Sequence, residues 1–196
     1  MMPNYLDVKP TDCRLTDCEW RTYREAAQRG NLFFNYGTGP FALFNRWWQT
    51  RRRATPFRQT PSHVGVVGAN RGAYESVVGR GPTRDFSVDR YLLSTGGRLE
   101  IGEFTTGFDD RDVDRAFSAL HHYMERLPRY WFLPKYDYLS LLTYGAFQLN
   151  GAVICSEIVA YYSNELLRNS SGYMLSVDEL VLPVDWLRKV TVIWEG

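Results

Sequence analysis

The chain is short of thiols, of imidazoles and of net charge: its 196 residues hold 3 cysteines and 3 histidines, and the formal net charge is +1. Cys13, Cys18 and Cys155 are an odd and small set, unlike the disulfide framework of a secreted mini-domain, so at least one thiol is expected to be free. A charge balance so close to zero leaves no global field to draw the protein onto nucleic acid or anionic lipid, which disfavours a dedicated nucleic-acid binder. No apolar run approaches the roughly 20 residues of a membrane helix. The first ten residues, MMPNYLDVKP, lack the basic and apolar regions of a signal peptide. The expectation is a protein with no transmembrane segment, cytoplasmic as synthesised. Lysine is scarce beside arginine, a bias that source composition explains as readily as phosphate recognition does.

What the chain does have is 44% hydrophobic residues, enough for one domain with a core of its own. Thr16 and Glu19 have capping-box spacing and Gly30 stands where a C-terminal cap belongs, predicting a helix over about 17–29. Asn31 to Tyr36 reads as a short strand. Phe41, Phe44, Trp47 and Trp48 recur at helical spacing and run into Arg51, Arg52 and Arg53, an amphipathic helix expected to pack its aromatics on the core and leave its basic end in solvent. The alternative for that stretch is a membrane-surface or polyanion patch. Ser62–Val67 and Ala73–Val78 are β-branched runs separated by Gly68-Ala69-Asn70-Arg71-Gly72, which is hairpin chemistry. Arg98–Phe104 and Val190–Trp194 read as strands. Asp109–Leu127, Tyr138–Gln148 and Val153–Leu167 read as helices, the first with Val113, Phe117, Leu120, Met124 and Leu127 on one stripe.

Three residues combine into a chemistry. Cys155 opens a helical stretch, where the helix dipole lowers a thiol pKa, and this reads as a reactive position rather than a buried one. Alternation puts His63, Gly65 and Val67 on one strand face, with Gly65 leaving space beside the imidazole. Glu75 lies on the next strand, and a hairpin register with even residue sums brings it to the same face as His63. A nucleophile, a base and an orienting acid are the parts of thiol hydrolysis, with no metal or organic cofactor required. Taken singly, each has a plainer reading: an inert core cysteine, a structural strand histidine, a solvated glutamate. Glu157 and Ser156 read as helix first-turn residues, His121 and His122 lack partners at metal spacing, and Cys13 and Cys18 read as structural.

In this order, Ser62-His63-Val64-Gly65-Val66, then Tyr74-Glu75-Ser76, then Tyr136-Asp137-Tyr138, then Ile154-Cys155-Ser156-Glu157-Ile158-Val159 resemble the NlpC-type cysteine peptidase superfamily, specifically its circularly permuted, YiiX-like branch. The resemblance runs from about Asn31 to Trp194. It implies an α+β, papain-like fold with a small antiparallel, barrel-like sheet packed against helices, and a domain over 31–196 preceded by a helical extension over 1–30. It implies Cys155 as nucleophile, His63 as base and Glu75 as third member, with Tyr136, Asp137 and Tyr138 beside the substrate pocket. The expected activity is that of a cysteine peptidase or amidase acting on a peptide or peptidoglycan stem peptide through a thioester. The alternatives are a thioesterase or acyltransferase acting on a lipid acyl group, and a catalytically silent binding or structural protein. By itself the reading also expects Glu75→Gln to be milder than loss of Cys155 or His63, because an amide still hydrogen-bonds the imidazole.

Overall fold

The computed structural model of the chain describes residues 9–78, 80–93, 97–105, 107–127, 154–168 and 182–196. It is an α+β protein in which one antiparallel sheet carries helices on both faces. In chain order the described elements are α1 (Asp17–Ala26), β1 (Leu32–Tyr36), α2 (Pro40–Arg53), β2 (His63–Val67), β3 (Gly72–Val77), β4 (Gly81–Ser87), α3 (Arg90–Leu93), β5 (Arg98–Phe104), α4 (Asp110–Arg126), α5 (Cys155–Leu167), α6 (Pro183–Leu187) and β6 (Val190–Glu195). The strands lie in the order β4-β3-β2-β1-β5-β6, and every neighbouring pair is antiparallel.

The central strand shows why this sequence takes this shape. Leu32, Phe34 and Tyr36 point to one side of β1 and Phe33 to the other, and all four are buried. On the first side they join Val64 and Val66 of β2 against Phe117 and Leu120 of α4 and Ile158, Val159 and Tyr162 of α5. On the second side Phe33, Val67, Leu99 and Ile101 meet Trp20, Tyr23 and Ala26 of α1. Fully burying one such side chain contributes about 1.5–3 kcal/mol, so both helical layers hold the sheet in place. The segment 1–30 therefore supplies a helix to this core. Its start is the expected capping box: Glu19 N–H donates to Thr16 Oγ1 at 3.3 Å, and Thr16 N–H donates to Glu19 Oε2 at 2.7 Å.

The β2–β3 hairpin turns through Asn70 and Arg71, both left-handed at φ 54° and 57°. The expected helix over 138–148 lies outside the described residues. The amphipathic α2 corrects its sequence reading. Trp48 is buried and Phe41 packs against its cluster, but Phe44 and Trp47 are exposed, while Asn45, Arg46 and Gln49 are turned inward and buried. No helix of the described residues is long and apolar enough to cross a membrane.

Candidate active site

His63 opens β2, directly opposite Asn35 of β1. Val66 pairs with Tyr74 and Val67 with Ala73, an even-sum register that sets His63 and Glu75 on one face along a diagonal. The two side chains meet: His63 Nε2 lies 2.6 Å from Glu75 Oε2. The segment just before His63 is tied down as well. Ser62 Oγ accepts from Gly37 N–H at 2.9 Å and donates to the Asn35 carbonyl at 2.8 Å, while Asn45 Nδ2 donates to the Ser62 carbonyl at 2.7 Å.

The space at Gly65 serves a different neighbour from the one expected. A Cβ there would fall 2.5 Å from the Phe33 ring and 2.8 Å from the Tyr74 carbonyl oxygen. Glycine is required so that Phe33 can fill the position, and Phe33 in turn lies beside both His63 and Tyr91, with ring centroids 6.0 and 5.4 Å away.

Cys155 is the first residue of α5, whose N-cap, Ile154, has no side-chain acceptor. The positive end of the helix dipole therefore falls on the thiol. Glu157 holds this first turn by accepting the Ile154 N–H at 2.7 Å, and Trp186 of α6 donates its indole N–H to the Ser156 carbonyl at 3.3 Å. The thiol is buried at 2% exposure, which corrects the expectation of an open position. Burial follows from α5 packing its length onto β2 and β3. Cys155 is nevertheless hydrogen-bonded to the His63 side chain. Glu75 occupies Nε2, so Nδ1 is the ring nitrogen that the carboxylate does not engage.

The pairing decides the histidine's charge. Burial alone pushes the imidazole toward its neutral form, but the negative Cys155, the Cys155 hydrogen bond and the Glu75 carboxylate outweigh it and raise the pKa from 6.5 to about 10. Burial pushes the other way on Glu75, favouring protonation. The hydrogen bond and charge of His63, the Tyr91 hydroxyl and the Arg90 guanidinium overcome that and hold the carboxyl below its usual range.

Arg90 and Tyr91 escaped the sequence reading. Arg90 Nη2 donates to Glu75 Oε1 at 2.6 Å, and the Tyr91 hydroxyl donates to Glu75 Oε2 at 2.5 Å. Tyr91 is kept protonated, its pKa pushed up by burial and by the Glu75 charge. Arg90 stacks on Phe86 with its Cζ 4.0 Å from the ring centroid. Just ahead of α3, the Asp89 carboxylate accepts the Tyr23 hydroxyl at 2.7 Å and Arg71 Nε at 2.9 Å, which pins the turn to α1 and the hairpin loop. No short motif marks this pair. A fully buried glutamate needs donors on every lone pair, and that requirement was the only signal available.

Cys155, His63, Glu75 and Arg90 thus follow one another in a chain of polar contacts, with Tyr91 hydrogen-bonded at the glutamate. The other sequence candidates fall elsewhere. Tyr136, Asp137 and Tyr138 lie outside the described residues. Among the described residues, no group of three or more histidine, cysteine or acidic side chains is placed to hold a metal ion. His121 instead lies 2.8 Å from Glu125. No family model matches the chain, and neither does any curated protein or any solved structure.

The shifts fix a pH dependence. A raised histidine adds stability in full below its unfolded value of 6.5 and loses it as pH climbs through the folded value of about 10. A lowered glutamate adds stability above its ordinary 4.5 and loses it as pH falls through its folded value. Melting temperature is therefore expected to fall on an acid limb below pH 4.5 and on an alkaline limb that ends at about pH 10. In His63→Gln the alkaline limb should largely vanish. Melting curves across this range that keep the alkaline limb in the variant contradict the assignment.

Proposed function

We propose that the protein is a cysteine hydrolase of the permuted, papain-like NlpC type, cleaving an amide bond through a thioester on Cys155. One observation carries the reading: a cysteine at a helix N-terminus shares a histidine with a buried glutamate, and the histidine's charge depends on both. Attraction between the ions is mutual, so it favours the thiolate as it favours the imidazolium. The Cys155 sulfur attacks the substrate carbonyl carbon, and the oxyanion that forms meets the Cys155 backbone N–H at the helix terminus. His63 Nδ1 delivers its proton to the leaving amine nitrogen as the C–N bond breaks, leaving an acyl thioester and neutral imidazole. Water then loses a proton to Nδ1 and attacks the thioester, releasing the carboxylic acid and restoring the ion pair. Glu75 keeps a proton on Nε2 throughout, so that Nδ1 is the nitrogen that exchanges.

Peptides and peptidoglycan stem peptides are the substrates this chemistry serves. The same steps on an ester or thioester describe a lipid acyl hydrolase or acyltransferase, a second reading favoured by the exposed aromatics of α2. Intact-protein mass spectrometry after exposure to activated acyl esters and to peptide mixtures tests the shared step. An acyl mass on Cys155 in native protein, absent from Cys155→Ser, is expected. Acylation elsewhere, or none on any class of donor, contradicts it.

A further inference from the structure

α2 departs from an ordinary surface helix by burying Asn45, Arg46 and Gln49 while exposing Leu43, Phe44 and Trp47. Its inward side holds Trp48 against Leu182 and Val184, but it also buries three polar side chains that hydrogen-bond the chain leading into β2. Asn45 holds the Ser62 carbonyl, Gln49 Nε2 donates to the Pro61 carbonyl at 2.8 Å, and Arg46 Nε donates to the Thr60 carbonyl at 2.9 Å. Its outward side carries Leu43, Phe44 and Trp47, exposed by 42%, 39% and 49%. These positions, one turn apart, make a continuous apolar strip, with Phe44 and Trp47 ring centroids 6.1 Å apart. Nothing in the folding of the domain is gained by showing these side chains to water.

Charge narrows the partner. Between Gly30 and Asn70 the sequence holds Arg46, Arg51, Arg52, Arg53 and Arg58 and no acidic residue, although the whole chain balances to +1. Arg46 is turned inward and Arg53 pairs with Asp185 at 2.8 Å; Arg51, Arg52 and Arg58 lie at the exposed surface. Arg51 continues the apolar strip and lies over Trp47, its Cζ 5.7 Å from the ring centroid. An apolar strip containing tryptophan and ending in arginines matches the boundary between lipid headgroups and acyl chains. A hydrated polyanion accounts for the arginines but offers no gain to Leu43 or Phe44.

We propose that the outward face of α2 docks the protein on an anionic lipid surface, with Leu43, Phe44 and Trp47 entering the headgroup boundary and Arg51 and Arg52 meeting lipid phosphates and carboxylates. The inward face of the same helix anchors Ser62, the neighbour of His63, so docking brings the histidine within about one helix diameter of the bilayer. The inference stands whether or not Cys155 turns over a substrate.

Flotation of the full chain with vesicles of phosphatidylcholine, alone or mixed with phosphatidylserine, provides the test. Binding is expected to the mixed vesicles and to weaken with added salt. Replacing Leu43, Phe44 and Trp47 together by serine should reduce partitioning at least about tenfold at unchanged melting temperature. Arg51→Gln with Arg52→Gln should reduce it about thirtyfold at low salt. Should the serine variant unfold, brominated lipids settle the question in native protein: they should quench tryptophan emission, and Trp47→Phe should remove most of that quenching. No binding to mixed vesicles at low salt overturns the proposal. So does binding that depends on the arginines but survives the serine changes, which would mark a nucleic acid or other polyanion surface.

Discussion

Cys155→Ser is expected to abolish turnover, by at least about a thousandfold on any substrate the native protein cleaves, while shifting the melting temperature by only a few degrees. The two effects separate because of how His63 responds. Serine keeps nearly the same volume in the buried position, and its hydroxyl stays un-ionised. His63 can answer the loss of its anionic neighbour by releasing a proton, since its pKa is high largely on account of Cys155. No uncompensated buried charge remains, so the fold tolerates the change. Rates and melting curves on the same preparation check this, and retained turnover would eliminate the thioester route.

Glu75→Gln is expected to be nearly as damaging, by about a thousandfold or more, and here the structure reverses the milder effect that the sequence suggests. Three donors converge on the carboxylate: His63, Tyr91 and Arg90. A glutamine keeping its oxygen toward His63 and Tyr91 turns its NH2 onto the Arg90 donor, which costs about 1–3 kcal/mol for the unmet groups. Turned the other way, the amide oxygen accepts from Arg90, but the NH2 removes the acceptor of the Tyr91 hydroxyl, donates to His63 Nε2 and forces the ring proton onto Nδ1. A neutral imidazole protonated on Nδ1 cannot take the thiol proton. An equivalent tautomer error in a serine triad costs about ten-thousandfold. Activity within a few-fold of native in Glu75→Gln would mean that the carboxylate does not set the tautomer.

Much of the sheet could be read from the sequence, because its strands carry their own punctuation. Gly68 to Gly72 marks the hairpin, and β-branched residues flank it on both sides. The even-sum register that joins His63 to Glu75 follows from the side-chain period of two. Less was legible where tertiary contacts overrode local pattern. β4, with Gly81 and Pro82 at its start, has little strand character, and its pairing with β3 depends on hydrogen bonds rather than propensity. α3 is four residues long, so it has no periodicity to detect, yet it delivers Arg90 and Tyr91. The aromatic spacing of α2 identified a helix but misjudged its inward face, because the chain at 57–62 offers carbonyls that Asn45, Arg46 and Gln49 satisfy. Cys155 was placed correctly at a helix start and wrongly in the open, since burial depends on how α5 lies on the sheet.

The central claim is that a thiolate and an imidazolium coexist in the folded protein, and thiolate absorbance in the far ultraviolet reads it without requiring reagent access to a buried sulfur. Titrated in a Cys13→Ser, Cys18→Ser background and referenced to the same chain carrying Cys155→Ser, the native site should show one thiolate already at about pH 6, well below the ordinary thiol value of about 8.5. His63→Ala should remove that early absorbance. Absorbance that first appears only as pH passes about 8.5, unchanged by His63→Ala, would contradict the account.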